Sequence, residues 1–155
     1  MNIININYLC SIGKLDEIIN LQQKENFIFE YDEYAINGAS EKGHVHILEW
    51  FNNSNYKFKY NEKAINWASG NGHVHILEWF KNSGYKFKYD EFAINYASYN
   101  GYIHILDWFK KSGYKLKYDK FAIDWASRCG HVHILKRFKN NNYKTRLYYI
   151  KQYKH

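Results

Sequence analysis

The sequence predicts an all-α solenoid of helix–turn–helix units, and three observations predict it. Gly43, Gly72, Gly101 and Gly130 recur every 29 residues, as do the pairs Ala39-Ser40, Ala68-Ser69, Ala97-Ser98 and Ala126-Ser127. Trp50, Trp79 and Trp108 keep the same spacing. All eight alanines (35, 39, 64, 68, 93, 97, 122 and 126) fall at two positions of that period. A period near 30 residues marks a unit too small to bury its own apolar face, which stacks on its neighbours instead.

The elements follow in chain order. Residues 1–31 are a degenerate N-terminal capping unit, with Ile4 to Ser11 as its first helix and Gly13-Lys14-Leu15-Asp16-Glu17-Ile18-Ile19 opening its second. Full units follow at 32–60, 61–89 and 90–118, with a last unit at 119–147. In the unit 61–89, Asn61 is a helix N-cap, a place held by Asp32, Asp90 and Asp119 in the other copies. The first helix spans Glu62 to Ser69, and Ala64 and Ala68, at i and i+4, give it one small face for close backbone approach. Gly70-Asn71-Gly72 turns the chain. The second helix spans His73 to Asn82 and carries Ile76, Leu77 and Phe80 on one face. Ser83-Gly84 ends it, and Tyr85-Lys86-Phe87-Lys88-Tyr89 alternates aromatic with cation, as an extended connector over a core does. In the last unit Arg137 replaces the tryptophan. Thr145 to Lys154 is expected to lay a short helix over the open end, within a basic tail at 148–155.

Composition bounds the rest. The 155 residues make one domain. Met1 to Cys10 alternates Ile with Asn and has no signal-peptide pattern, and no apolar run nears the roughly 20 residues that span a bilayer. Cys10 and Cys129 sit in the first and last units, so free thiols and a reducing intracellular compartment are expected. Proline is absent while Asn, Lys, Ile and Tyr abound, which points to an AT-rich genome. The net charge of +7 belongs to the C-terminal end: Lys136, Arg137, Lys139, Lys144, Arg146, Lys151 and Lys154 face no acid after His131.

The string Ala-Ile-Asn-Trp-Ala-Ser-x-x-Gly-His-Val-x-Ile-Leu-x-Trp-Phe-x-x-Ser-Gly at 64 to 84 resembles the ankyrin repeat. Ile65 to Ser69 matches that family's first-helix core loosely, Gly72-His73 its turn, and Ser83-Gly84 its small-residue ending. The family's Thr-Pro-Leu-His opening is missing, and the unit is four residues shorter, with the loss in the connector. The resemblance therefore implies an ankyrin-like solenoid with shortened hairpin connectors. It implies a protein-binding scaffold whose first helices line a concave side. Short tryptophan-bearing repeats of this kind look most like those of giant amoeba-infecting DNA viruses, which implies a viral protein acting on a host protein.

Candidate chemistry is sparse. The pairs His44/His46, His73/His75 and His131/His133 stand at i, i+2, which on a helix separates side chains by about 200°. Equivalent histidines of neighbouring units stand about 8–10 Å apart, too far to share an ion. They are expected to be structural, and neither metal nor cofactor is expected. Trp50, Trp79 and Trp108 are expected to form a packed ladder, and Trp67, Tyr96 and Trp125 to serve mostly inter-unit packing. The connector lysines Lys57, Lys59, Lys86, Lys88, Lys115 and Lys117 are expected in solvated loops beside Glu62, Glu91 and the caps. No nucleophile set, phosphate loop or carboxylate pair suggests an enzyme.

Specificity should lie where first helices differ: Tyr34, Lys63, Phe92 and Phe121 at one position, then Glu41, Tyr99 and Arg128, then Asn100. A monomer that binds a protein partner on these residues is the leading expectation. The alternative is nucleic-acid or anionic-surface binding through the basic C-terminal end.

Overall fold

Alanine, isoleucine and phenylalanine at fixed places build two rows of helices. The structure is a computed structural model and describes residues 2–24 and 27–141. It is mostly helical. The first row is α1 (Asn7–Ser11), α3 (Glu33–Glu41), α5 (Lys63–Gly70), α7 (Phe92–Tyr99) and α9 (Lys120–Arg128). The second is α2 (Leu15–Gln22), α4 (Val45–Asn53), α6 (Val74–Asn82), α8 (Ile103–Lys111) and α10 (Val132–Asn141). Each first-row helix packs on the next one in its row and on the second-row helix that follows it. The eight alanines are fully buried, because a methyl side chain is what lets first-row helices close up. Ile76, Leu77 and Phe80 of α6 are buried too, as are Ile47, Leu48 and Phe51 of α4 and Ile105, Leu106 and Phe109 of α8.

The mostly helical structure agrees with the all-α expectation, but the helix expected from Ile4 to Ser11 needs correction. Two strands, β1 (Asn2–Asn5) and β2 (Phe27–Glu30), pair in parallel, with Asn2 opposite Phe27 and Asn5 opposite Glu30. The helix expected from Ile4 begins at Asn7, where the Asn5 side chain accepts from the Asn7 backbone N–H at 2.9 Å. The alternation of Ile with Asn is a period of two, which favours an extended chain over a helix. β2 occupies the place of the later connectors and finds a backbone ladder in β1.

The later connectors hold together differently. The Tyr31 hydroxyl donates to the Lys57 carbonyl at 3.0 Å, Tyr60 to Lys86 at 2.6 Å, and Tyr89 to Lys115 at 2.8 Å. Lys59, Lys88 and Lys117 fold back 4.5, 4.3 and 4.1 Å above the rings of Tyr31, Tyr60 and Tyr89. They also donate to the carbonyls of those tyrosines. The three are therefore committed to cation–π and hydrogen-bond contacts, Lys59 and Lys88 half-buried and Lys117 exposed. Burial raises the hydroxyl pKa of Tyr31, Tyr60 and Tyr89.

The tryptophan ladder is a mixed stack. Trp79 lies 5.4 Å from Phe58 and Trp108 5.6 Å from Phe87, with Tyr85 and Tyr114 completing each layer at 4.2 and 4.1 Å from the phenylalanines. Trp108 Nε1 donates to Glu78, and Arg137, standing where a fourth tryptophan would, pairs with Asp107.

An asparagine, buried in all but the first case, staples each of α1, α3, α5 and α7 to the next cap. Asn66 Nδ2 donates to Asp90 Oδ1 at 2.7 Å, and Asn66 Oδ1 accepts from the Asp90 N–H at 3.3 Å, while Asp90 Oδ1 takes the Phe92 N–H at 2.9 Å. Asn7 with Asp32, Asn37 with Asn61 and Asn95 with Asp119 repeat the arrangement. We expect Asn66→Ala to cost about 1–3 kcal/mol in chemical denaturation, because it strips a cap of its partner inside the stack. A loss below the scatter of such a measurement would show the staple to be idle.

Candidate functional site

The turn glycines set how closely one helix pair approaches the next. Gly101 has φ +74°, and a Cβ there would come within 2.8 Å of the His131 ring, so neither the conformation nor the space admits a side chain. The histidines stand across these turns. His46, His75, His104 and His133 place Nε2 2.8–3.1 Å from the carbonyls of Gly13, Gly43, Gly72 and Gly101. His131 reaches the Tyr99 carbonyl at 2.9 Å. The i, i+2 pairs do not diverge as a helical spacing predicts. His44 and His46 lie 5.5 Å apart between centroids, as do His73 and His75, because the first of each pair precedes its helix with ψ near +70°. Among the described residues no group of His, Cys, Asp and Glu is arranged to hold a metal ion. Burial lowers the His44 and His73 pKa values, and the neighbouring histidine of each pair lowers them further.

The first-row helices carry the other concentration of chemistry. Tyr34 is 53% exposed and meets Trp67 edge-on at 5.8 Å, with Lys63 Nζ 5.6 Å above the same indole. Phe92 stacks on Tyr96 at 5.4 Å, and Tyr96 lies 6.2 Å from Trp125 with planes 5° apart. Phe121 stacks on Trp125 at 5.2 Å, Tyr99 meets it edge-on at 5.8 Å, and Lys120 Nζ stands 5.5 Å above Phe121. Tyr96, Tyr99, Asn100 and Trp125 line a pocket of about 320 Å³ between α7 and α9.

The expected residues fall into three groups. Tyr99 and Phe121 converge on Trp125, Phe92 joins them through Tyr96, and Arg128 stands on the same helix as Trp125, exposed. Tyr34 and Lys63 form a second cluster around Trp67, with Lys63 exposed. Glu41 pairs with Lys42 at 3.0 Å, and Asn100 Nδ2 donates to the Gly70 carbonyl at 2.7 Å, so both are engaged within the chain. Tyr96 and Trp125, expected to serve mostly inter-unit packing, stack on each other across α7 and α9, and their half-exposed rings also line the pocket. The signal was in the sequence: their position reads Gly38, Trp67, Tyr96, Trp125, while the buried alanines beside it never change. Gly70 contributes by lacking a side chain, since a Cβ there would lie 2.8 Å from Tyr96 Cβ.

Of the basic C-terminal end, Lys136 and Lys139 are exposed and Arg137 is paired with Asp107. Lys144, Arg146, Lys151 and Lys154, with the expected helix from Thr145 to Lys154 and the tail at 148–155, lie outside the described residues. Among the described residues no helix is long and apolar enough to cross a membrane. Cys10 and Cys129 are free thiols. No protein-family model matches the chain, and no curated protein matches it.

Proposed function

We propose that this chain is an ankyrin-like stack of 29-residue units with blunt connectors, and that it works without catalysis as a module binding a protein on its first-helix row. One observation carries the reading. The large aromatics Tyr34, Phe92, Tyr99 and Phe121 are 40–53% exposed on a single row of helices, gathered round half-buried Trp67, Tyr96 and Trp125. Scattered exposed apolar side chains need no explanation, but exposed aromatics clustered along one row of helices mark an interaction surface. The residues that fix the stack (alanines, stapling asparagines, turn histidines) leave this row free to vary. A face held by packed helices loses little ordering entropy on binding.

Affinity capture with the whole chain, followed by mass spectrometry, tests the reading. The double variant Tyr99→Ala, Arg128→Ala should keep its far-ultraviolet circular dichroism and lose its captured partner by tenfold or more, since one anchoring aromatic accounts for about 2 kcal/mol. An unchanged captured set would place binding elsewhere.

A further inference from the structure

We infer that the pocket of Tyr96, Tyr99, Asn100 and Trp125 receives an apolar side chain from a protein segment that carries a carboxylate beside it, with Arg128 taking the carboxylate. This rests on the binding role proposed above and gives it a chemistry.

The cavity suits one side chain. Its volume, about 320 Å³, is at the small end of ligand pockets. Its walls are two nearly parallel aromatic planes and a third ring set edge-on to one of them. The single amide among the lining residues, Asn100, already donates to Gly70. Such a site selects for apolar bulk.

Charge on the helix that supplies Trp125 decides the rest. The C-terminal ends of α5, α7 and α9, with the residues that follow, present Gly70, Asn71, Tyr99, Asn100, Arg128 and Cys129. Arg128 is the one charged residue of that set. It follows Trp125 by three residues, so the two share a helix face, and it occupies in α9 the place that Tyr99 occupies in α7. Its guanidinium has no acidic partner among the described residues. Glu91 stands eight residues before Tyr99, about 12 Å away along the helix. Asp124 holds the position of buried Asn66 and Asn95 and has contacts of its own. A cationic side chain entering the pocket would meet Arg128, whereas a carboxylate would form charge-assisted, bidentate hydrogen bonds with it.

A random dodecapeptide library displayed on phage and selected against the whole immobilised chain tests this. Enriched peptides should place an aromatic or large aliphatic residue within two positions of Asp or Glu, or end in that residue with a free carboxylate. Synthetic copies, free-acid and amidated, separate the two carboxylate sources. Arg128→Glu and the milder Arg128→Gln, both checked by circular dichroism, should weaken the selected peptides tenfold or more. Replacing the peptide's acid with lysine should restore binding to Arg128→Glu. Bound peptide should also slow the reaction of N-ethylmaleimide with exposed Cys129, while Cys10 stays silent, being buried with its thiol pKa pushed up to about 12. Enriched peptides that lack acids or carry cations, yet are lost on Tyr99→Ala, overturn the carboxylate assignment and leave the binding face standing. Peptides indifferent to Tyr99→Ala and Arg128→Glu overturn both. No enrichment at all also overturns the assignment, and the capture experiment then decides the face independently.

Discussion

Phe80→Ala should lower the unfolding free energy by about 3–5 kcal/mol, among the largest losses open to a single substitution here. The Phe80 ring is fully buried in α6. It lies 5.2 Å from Tyr60 of the preceding connector and 6.1 Å from Phe58 of the same connector. Truncation removes the transfer free energy of the ring and leaves a cavity beneath the connector of Phe58 and Tyr60 that its neighbours only partly fill. Trp79 makes a useful control. It is next in sequence and stacks on the same Phe58, but it is only half-buried. Aromatic pairs add about 0.5–1.5 kcal/mol each beyond area burial, so Trp79→Ala should cost distinctly less. Guanidinium denaturation followed by circular dichroism reads both. A loss at Phe80 no larger than at Trp79 would mean that the interior is not filled by the second-row phenylalanines.

The helices were legible in the sequence because their signals are redundant. Ala64 with Ala68, Ile76 with Leu77 and Phe80, and Gly72 between them each point to the same unit, and each recurs in register. The N-terminal strands were missed where that redundancy ends. The first unit lacks the alanines, and its Ile-Asn alternation competes with the helix assignment drawn from its neighbours. The stapling asparagines, Asn37, Asn66 and Asn95, also escaped notice. A mid-helix asparagine has low helix propensity and shows its purpose only once its partner, 24 residues on, is seen to be a cap. For the candidate site, the differing positions were readable but their grouping was not. Which rings converge on Trp125 depends on how far one helix slides on the next, and no spacing rule encodes that. Asn100 shows the limit from the other side: it varies between copies, as a recognition residue does, yet its amide is spent on Gly70.

The histidine turns should make the stack acid-sensitive. His44 packs over Gly13 and faces His46 and Lys42, while His73 packs over Gly43 and faces His75, His44, Lys42 and the Glu41 carbonyl. Burial is the main reason that both are harder to protonate than a free histidine, and the facing cations act in the same direction. The sign follows. With the folded pKa depressed, the unfolded chain binds more protons as the pH drops below the free-histidine value of about 6.5. The stabilisation is therefore complete above that value and is lost as the pH falls through it toward the lower folded values. The melting temperature should fall between pH 7.5 and pH 5.0. The chain supplies its own control, because Tyr102 occupies the same place before α8, 5.5 Å from His104, and keeps an aromatic ring there without a titrating nitrogen. The double variant His44→Tyr, His73→Tyr should fold at neutral pH and show a shallower fall on acidification. If its melting temperature follows that of the parent across the whole range, the paired histidines are not what acid acts upon.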